Sequence, residues 1–140
     1  MKLDFTQFKK AMKSLSEAVQ STTDTKFMAS LNDAQRRTMR AGVIQNFEFT
    51  YEKCWKILQK QLQLEEGSEE VLALSRKDLF RLAAQKSLLE NPENWFVYHR
   101  ARNETSHTYN EVTAQEVYQI TLRFLPDAEK LLLALEARDL

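Results

Sequence analysis

The sequence predicts an all-α fold, an antiparallel up-and-down bundle of four to five helices in one domain spanning residues 1–140. Three observations carry this. Apolar residues recur at spacings of three and four along most of the chain. Only two Gly and two Pro occur among 140 residues, too little turn chemistry for the many short connections of an all-β fold. Helix-cap signatures separate the apolar seams, with no linker, repeat or low-complexity tract between them.

The first seam is Phe5, Phe8, Met12, Leu15 and Val19, with Lys and Ser between, and Ser21-Thr-Thr-Asp-Thr25 ends it in turn-prone residues. The second helix opens on Asn32 with Gln35, a capping box, and runs to about Leu64, where Glu-Glu-Gly67 stops it. Its stripe is Val43, Phe47, Tyr51, Cys54, Leu58 and Leu62, broadened by Ile44, Trp55 and Ile57. A stripe that wide calls for several neighbouring helices or a second copy of the chain. Gly42 inside this helix costs about 1 kcal/mol relative to Ala, which points to close backbone packing there.

Ser75 with Asp78 starts a third helix that turns Leu79, Leu82, Ala83 and Leu89 inward. Asn91-Pro92 is a cap followed by proline at the first helical position, the start of a fourth. Thr113 with Glu116 is expected to cap a fifth, carrying Val117, Ile120, Phe124, Leu131 and Leu135. Pro126 is expected to kink or break it near Phe124.

Composition narrows the function. Lys+Arg and Asp+Glu stand at 20 each, so the molecule has no net field with which to coat nucleic acid or an anionic membrane. No apolar run approaches the roughly 18 to 20 residues of a membrane span, and the amino-terminal residues lack the apolar core of a signal peptide. The single Cys54 makes no internal disulfide, and two His with one Cys are too few for a structural zinc site. A reducing, cytoplasmic setting is expected. No cofactor or metal is called for. Glu104-Thr-Ser-His107 has the Glu-x-x-His form of di-iron bundles, but the second such motif is missing. Arg36, Arg37 and Arg40 read as a solvated basic turn, with a phosphate- or partner-contacting patch as the minority reading.

The chemistry concentrates in the fourth helix. Its seam reads Trp95, His99, Arg102, Ser106, Tyr109, flanked by Tyr98 and Thr105. A stripe that begins aromatic and turns polar breaks the consistency of a purely structural helix. His107 lies four residues beyond Asn103, so a hydrogen bond between them is available to fix the imidazole. Arg102 and His107 lie about 140° apart on a regular helix, and converge if the helix loosens after Thr105 or if two copies meet across a two-fold axis. The bland alternative is a pair of cations at a helix end, with Arg102 joined to Glu104 or Glu111. His99 reads as a packed or partly exposed histidine.

Arg102-Asn-Glu-Thr-Ser-His107-Thr-Tyr109 resembles the Arg-x4–6-His-x-Tyr motif of HEPN-domain proteins. The run Gly42-Val-Ile-Gln-Asn-Phe-Glu-Phe-Thr-Tyr-Glu52 followed by Trp55-Lys, and the closing Tyr118…Phe124-Leu-Pro126…Leu132, look like one branch of that family. These are the nucleotidyltransferase substrate-binding subunits, also described as HEPN toxins paired with a minimal nucleotidyltransferase. The resemblance spans nearly the whole chain. It implies a dimeric helical bundle bound to a small nucleotidyltransferase encoded beside it.

Two functions follow from the resemblance. One is a metal-independent ribonuclease with Arg102 and His107 as catalytic residues, restrained by a partner that adenylylates Tyr109. The other is a non-catalytic subunit that grips substrate or nucleotide for the partner, with Tyr109, Asn103 and Ser106 among its contacts. RNA or a nucleotide is the ligand in either case.

Overall fold

The computed structural model describes residues 3–138; Met1 and Lys2, within the amino-terminal stretch read for a leader, lie outside the described residues. Among these residues the order is α1 (Thr6–Thr23), α2 (Thr25–Ala29), α3 (Asp33–Glu66), α4 (Ser68–Leu72), α5 (Arg76–Gln85), α6 (Pro92–Glu104), a 3-10 turn (Thr105–His107) and α7 (Glu111–Arg138). The five expected helices are all present. The two five-residue helices α2 and α4 were not expected, because single turns carry no periodic signal for a sequence reading to detect.

Side-chain pairs give the directions. Thr50 Oγ1 donates to the Ala11 carbonyl and Ser14 Oγ to Asn46 Oδ1, so α1 and α3 run antiparallel. Arg40 pairs with Glu111 at one end of α3 and Glu65 with Arg138 at the other, so α3 and α7 run parallel. Tyr51 meets His99 while Glu52 meets Arg102, and with α3 and α6 joined through the short α5 this sets α6 against the middle of α3. The result is a helical bundle with the 34-residue α3 against α1, α5, α6 and α7. Those neighbours account for the width of its apolar stripe within one chain.

Phe124 is the hub of the core. It packs edge-on against Phe47, Trp95 and Tyr98, with ring centroids 5.0, 5.8 and 5.2 Å away, and all four side chains are buried. Such edge-to-face pairs add about 0.5–1.5 kcal/mol each beyond area burial. They lock α6 to α3 and α7, and α6 carries the motif arginine.

The caps at Asn32, Ser75 and Asn91 form as the sequence predicts, the first as a full capping box. Gly67 ends α3 with φ at 105°, a conformation that favours glycine. Two expectations fail, and of the kink or break expected at Pro126 the break does not occur. A Cβ added at Gly42 would meet nothing within 4 Å, so no close packing requires glycine there, and nothing in the structure explains it. α7 begins at Glu111 rather than after a Thr113 cap, because the Asn110 side chain accepts from the Val112 and Thr113 amides at 3.0 and 3.2 Å and supplies the cap three residues earlier. Pro126 does not break α7, which continues to Arg138. Pro126 is exposed, and in the turn its ring crowds, the Arg123 carbonyl takes a hydrogen bond from the Tyr98 hydroxyl at 3.2 Å.

No helix among the described residues is long and apolar enough to cross a membrane.

Candidate functional site

The motif segment is built on a rigid base. Trp95, Tyr98 and Ala101 bury one face of α6, so Arg102, one turn beyond Tyr98, is presented from an anchored helix. The helix then unwinds in hydroxyl-rich sequence. Thr105 Oγ1 donates to the Arg102 carbonyl at 2.7 Å, Ser106 Oγ to the Asn103 carbonyl at 3.5 Å, and Thr108 Oγ1 to the Thr105 carbonyl at 3.1 Å. Such back-bonding competes with the helical ladder, and the chain tightens into the 3-10 turn at Thr105–His107. The chain thus leaves the regular helix at Thr105, the first of the two routes by which Arg102 and His107 could converge.

His107 and Tyr109 emerge from that turn into solvent. Tyr109 is 87% exposed, and the two rings lie edge to face with centroids 6.3 Å apart. Asn103 and Ser106 are also exposed. The Asn103–His107 side-chain hydrogen bond that the spacing allows does not form among the described residues, because the 3-10 turn changes the register that would align the two side chains.

Arg102 stands apart from His107 in its bonding. Its partners are neither Glu104 nor Glu111 but two glutamates of α3: Nε donates to Glu52 Oε1 at 3.1 Å, and Nη2 lies 3.4 Å from Glu48 Oε1. Nη1 reaches Thr105 Oγ1 at 3.4 Å. Among the described residues no hydrogen bond joins Arg102 to the His107 side chain.

Behind Arg102 lies a polar cluster in the aromatic seam. Tyr51 Oη is 2.9 Å from His99 Nδ1, and Arg76 Nη1 approaches both, at 3.3 Å from the phenol and 3.4 Å from the imidazole. The Arg76 guanidinium also stacks on Trp55 at 3.5 Å, and Trp55 Nε1 donates to Glu52 Oε2 at 3.0 Å. Burial, reinforced by the Arg76 charge, holds the His99 imidazole below its ordinary value. Burial pushes the Tyr51 phenol well above its own. The sequence marks His99 as packed and Tyr51 as core but gives no sign that they meet, nor that Glu48, Glu52 and Arg76 gather beside Arg102. The only available signal is polar atoms on a core stripe.

The basic turn is structural in two of its three members. Arg36 donates to the Met28 and Ala29 carbonyls, closing the end of α2. Arg40 grips both carboxylate oxygens of Glu111 at 2.6 and 2.7 Å, holding the Glu111 carboxyl below the usual range. Arg37 is exposed and lines a groove of about 440 Å³ with Thr108 and Tyr109. Among the described residues no group of three or more His, Cys, Asp and Glu side chains is arranged to hold a metal ion.

The family model described as "Nucleotidyltransferase substrate binding protein like" matches residues 3–137. This chain belongs to that family. A protein of Haemophilus influenzae described as a probable ribonuclease HepT is 32% identical over 139 residues, 99% of this chain and 95% of that one. A solved structure from the same organism, described as revealing the fold of a substrate binding domain of a nucleotidyltransferase, superposes with a TM-score of 0.91 at 31% identity, covering 95% of this chain and 99% of that one. A Thermus thermophilus structure, also 31% identical, matches with a TM-score of 0.69 over 89% and 98% of the two chains. Family membership ties this helical bundle to nucleotidyltransferases.

Proposed function

We propose that this chain is the HEPN subunit of a two-protein, toxin–antitoxin-type system, a metal-independent endoribonuclease restrained by a small nucleotidyltransferase partner. The observation that carries the reading is the motif turn. It exposes His107 and Tyr109 together at the end of α6, one turn beyond an arginine on a buried base. The relative described as a probable ribonuclease supports the same class of activity.

The chemistry suits these groups. The RNA 2′-oxygen attacks the adjacent phosphorus, the 5′-oxygen leaves, and a 2′,3′-cyclic phosphate remains. His107, through its imidazole nitrogens, takes the proton of the 2′-hydroxyl or gives one to the leaving 5′-oxygen. Arg102 holds the phosphate and offsets the charge that develops on it. Asn103 and Ser106, exposed on the same turn, supply substrate contacts. A homodimer is part of this reading, because Arg102 and His107 share no hydrogen bond within one chain and a second copy would complete the pair. Light scattering should return the mass of two chains.

A second reading is favoured by two observations. Arg102 already sits between two glutamates, and the chain has no net positive charge, which suits a nucleotide-gripping subunit better than an RNA-coating one. Co-expression separates the readings. A ribonuclease toxin arrests growth when expressed alone and is silenced by an active nucleotidyltransferase partner. Growth unaffected by the chain alone supports the binding subunit.

A further inference from the structure

We infer that Glu52 is a positioning residue for Arg102, fixing the guanidinium by its Nε side so that the Nη1–Nη2 edge is left to hold the substrate phosphate. The inference rests on the proposed role of Arg102 and goes beyond it by naming what sets that arginine's orientation.

The two oxygens of Glu52 are divided. Oε1 takes the Arg102 Nε–H at 3.1 Å and Oε2 takes the Trp55 indole N–H at 3.0 Å. Glu52 and Trp55 are three residues apart on α3, on one helical face, so the indole fixes the carboxylate before it meets the arginine. The indole is itself held. Arg76 lies 3.5 Å above its ring and anchors to Tyr51 at 3.3 Å. A chain of contacts therefore runs from α5 through Arg76, Trp55 and Glu52 to Arg102 on α6.

The effect on Arg102 is geometric. Arginine binds oxyanions through two parallel N–H groups on one edge of a planar fork. With Nε committed to Glu52, the edge that remains is Nη1–Nη2. Its present contacts, Thr105 Oγ1 and Glu48 Oε1, are both long at 3.4 Å, which a phosphate can displace. Nη1 already points to Thr105, the first residue of the turn that carries His107.

Two simpler roles make different predictions. An ordinary surface ion pair contributes little to anything, but the Glu52 and Arg102 side chains are each only 30% exposed and Glu52 is bonded at both oxygens. A carboxylate that merely repels RNA would strengthen binding and speed cleavage when neutralised. Positioning predicts slower turnover instead.

The test uses the full-length protein, a short RNA substrate, and Glu52→Gln, Glu52→Asp and Trp55→Phe, each checked by its melting curve. Glu52→Gln keeps the shape but removes the charge, and kcat should fall by about 10- to 100-fold with KM little changed. Glu52→Asp, which retains the carboxylate, should recover part of the loss. Trp55→Phe keeps a ring under Arg76 and removes the N–H, so it should give a smaller loss that does not add to that of Glu52→Gln. Unchanged or faster cleavage in Glu52→Gln overturns the inference, as does a rise in KM with kcat intact. If the wild type cleaves no RNA, the ribonuclease reading fails by itself. The same variants are then read by binding of a 2′-O-methyl oligonucleotide, where Glu52→Gln should weaken binding several-fold and unchanged or tighter binding overturns the positioning role.

Discussion

The Tyr51 hydroxyl and His99 Nδ1 stand 2.9 Å apart with the Arg76 guanidinium against both, so the phenol accepts from Arg76 and donates to a neutral imidazole. That assigns the His99 proton to Nε2, an inference from the hydrogen-bond pattern. Protonating Nδ1 would turn the shared contact into two donors facing one oxygen already engaged by a cation.

The sign of the pH dependence follows. His99 titrates below an ordinary imidazole because burial and Arg76 oppose its charge. The unfolded chain therefore binds more protons as the pH falls below about 6.5, and the contribution of neutral His99 to stability, full above that pH, is lost as the pH drops through the folded value. Melting temperature should decline from pH 7 toward pH 5, with a flatter profile in His99→Gln. An NMR titration placing His99 above an ordinary imidazole would contradict the assignment.

Tyr98 ties α6 to the proline-bearing turn of α7 through the Arg123 carbonyl and the Asp127 carboxylate. Tyr98→Phe preserves the ring against Phe124 but removes both hydrogen bonds. The expected cost is about 1–3 kcal/mol, seen as a melting temperature several degrees lower. A melting temperature equal to wild type would show that the bonds contribute nothing.

Tyr109 is the phenol another enzyme can reach, at 87% exposure on the turn before Asn110 caps α7. The proposed regulation is attack of its hydroxyl on the α-phosphorus of ATP in the partner nucleotidyltransferase, which releases pyrophosphate and a proton and leaves a phosphodiester and a base beside His107. Intact-mass spectrometry after incubation with the partner, ATP and Mg²⁺ should show AMP increments that vanish in Tyr109→Phe. Increments that persist in that variant would move the modification elsewhere.

The fold is largely legible in the sequence because local signals agree with it. Asn32 with Gln35, Ser75 with Asp78 and Asn91 with Pro92 mark helix starts that form, and the seam through Phe47, Tyr51 and Cys54 faces the core. The misplaced start of α7 comes from reading Thr113 as the cap when Asn110, three residues earlier, already takes the Val112 and Thr113 amides. α7 continues through Pro126 with the Tyr98 hydroxyl bonded to the Arg123 carbonyl in that turn, a tertiary contact that no local rule contains. The motif itself is readable as Arg102, His107 and Tyr109. Its surroundings are not: Glu52 and Arg102 lie fifty positions apart in sequence, and only the packing of α6 on α3 brings them together.

In the proposed ribonuclease, His107, on the turn that follows the helix of Arg102, moves the proton in RNA cleavage. The most direct measurement of this role is cleavage of a defined RNA by the purified chain in EDTA, comparing wild type with His107→Ala at matched helicity. The wild type should give products ending in 2′,3′-cyclic phosphate, and His107→Ala none. Cleavage that persists in His107→Ala, or wild-type cleavage that EDTA abolishes, would contradict that role.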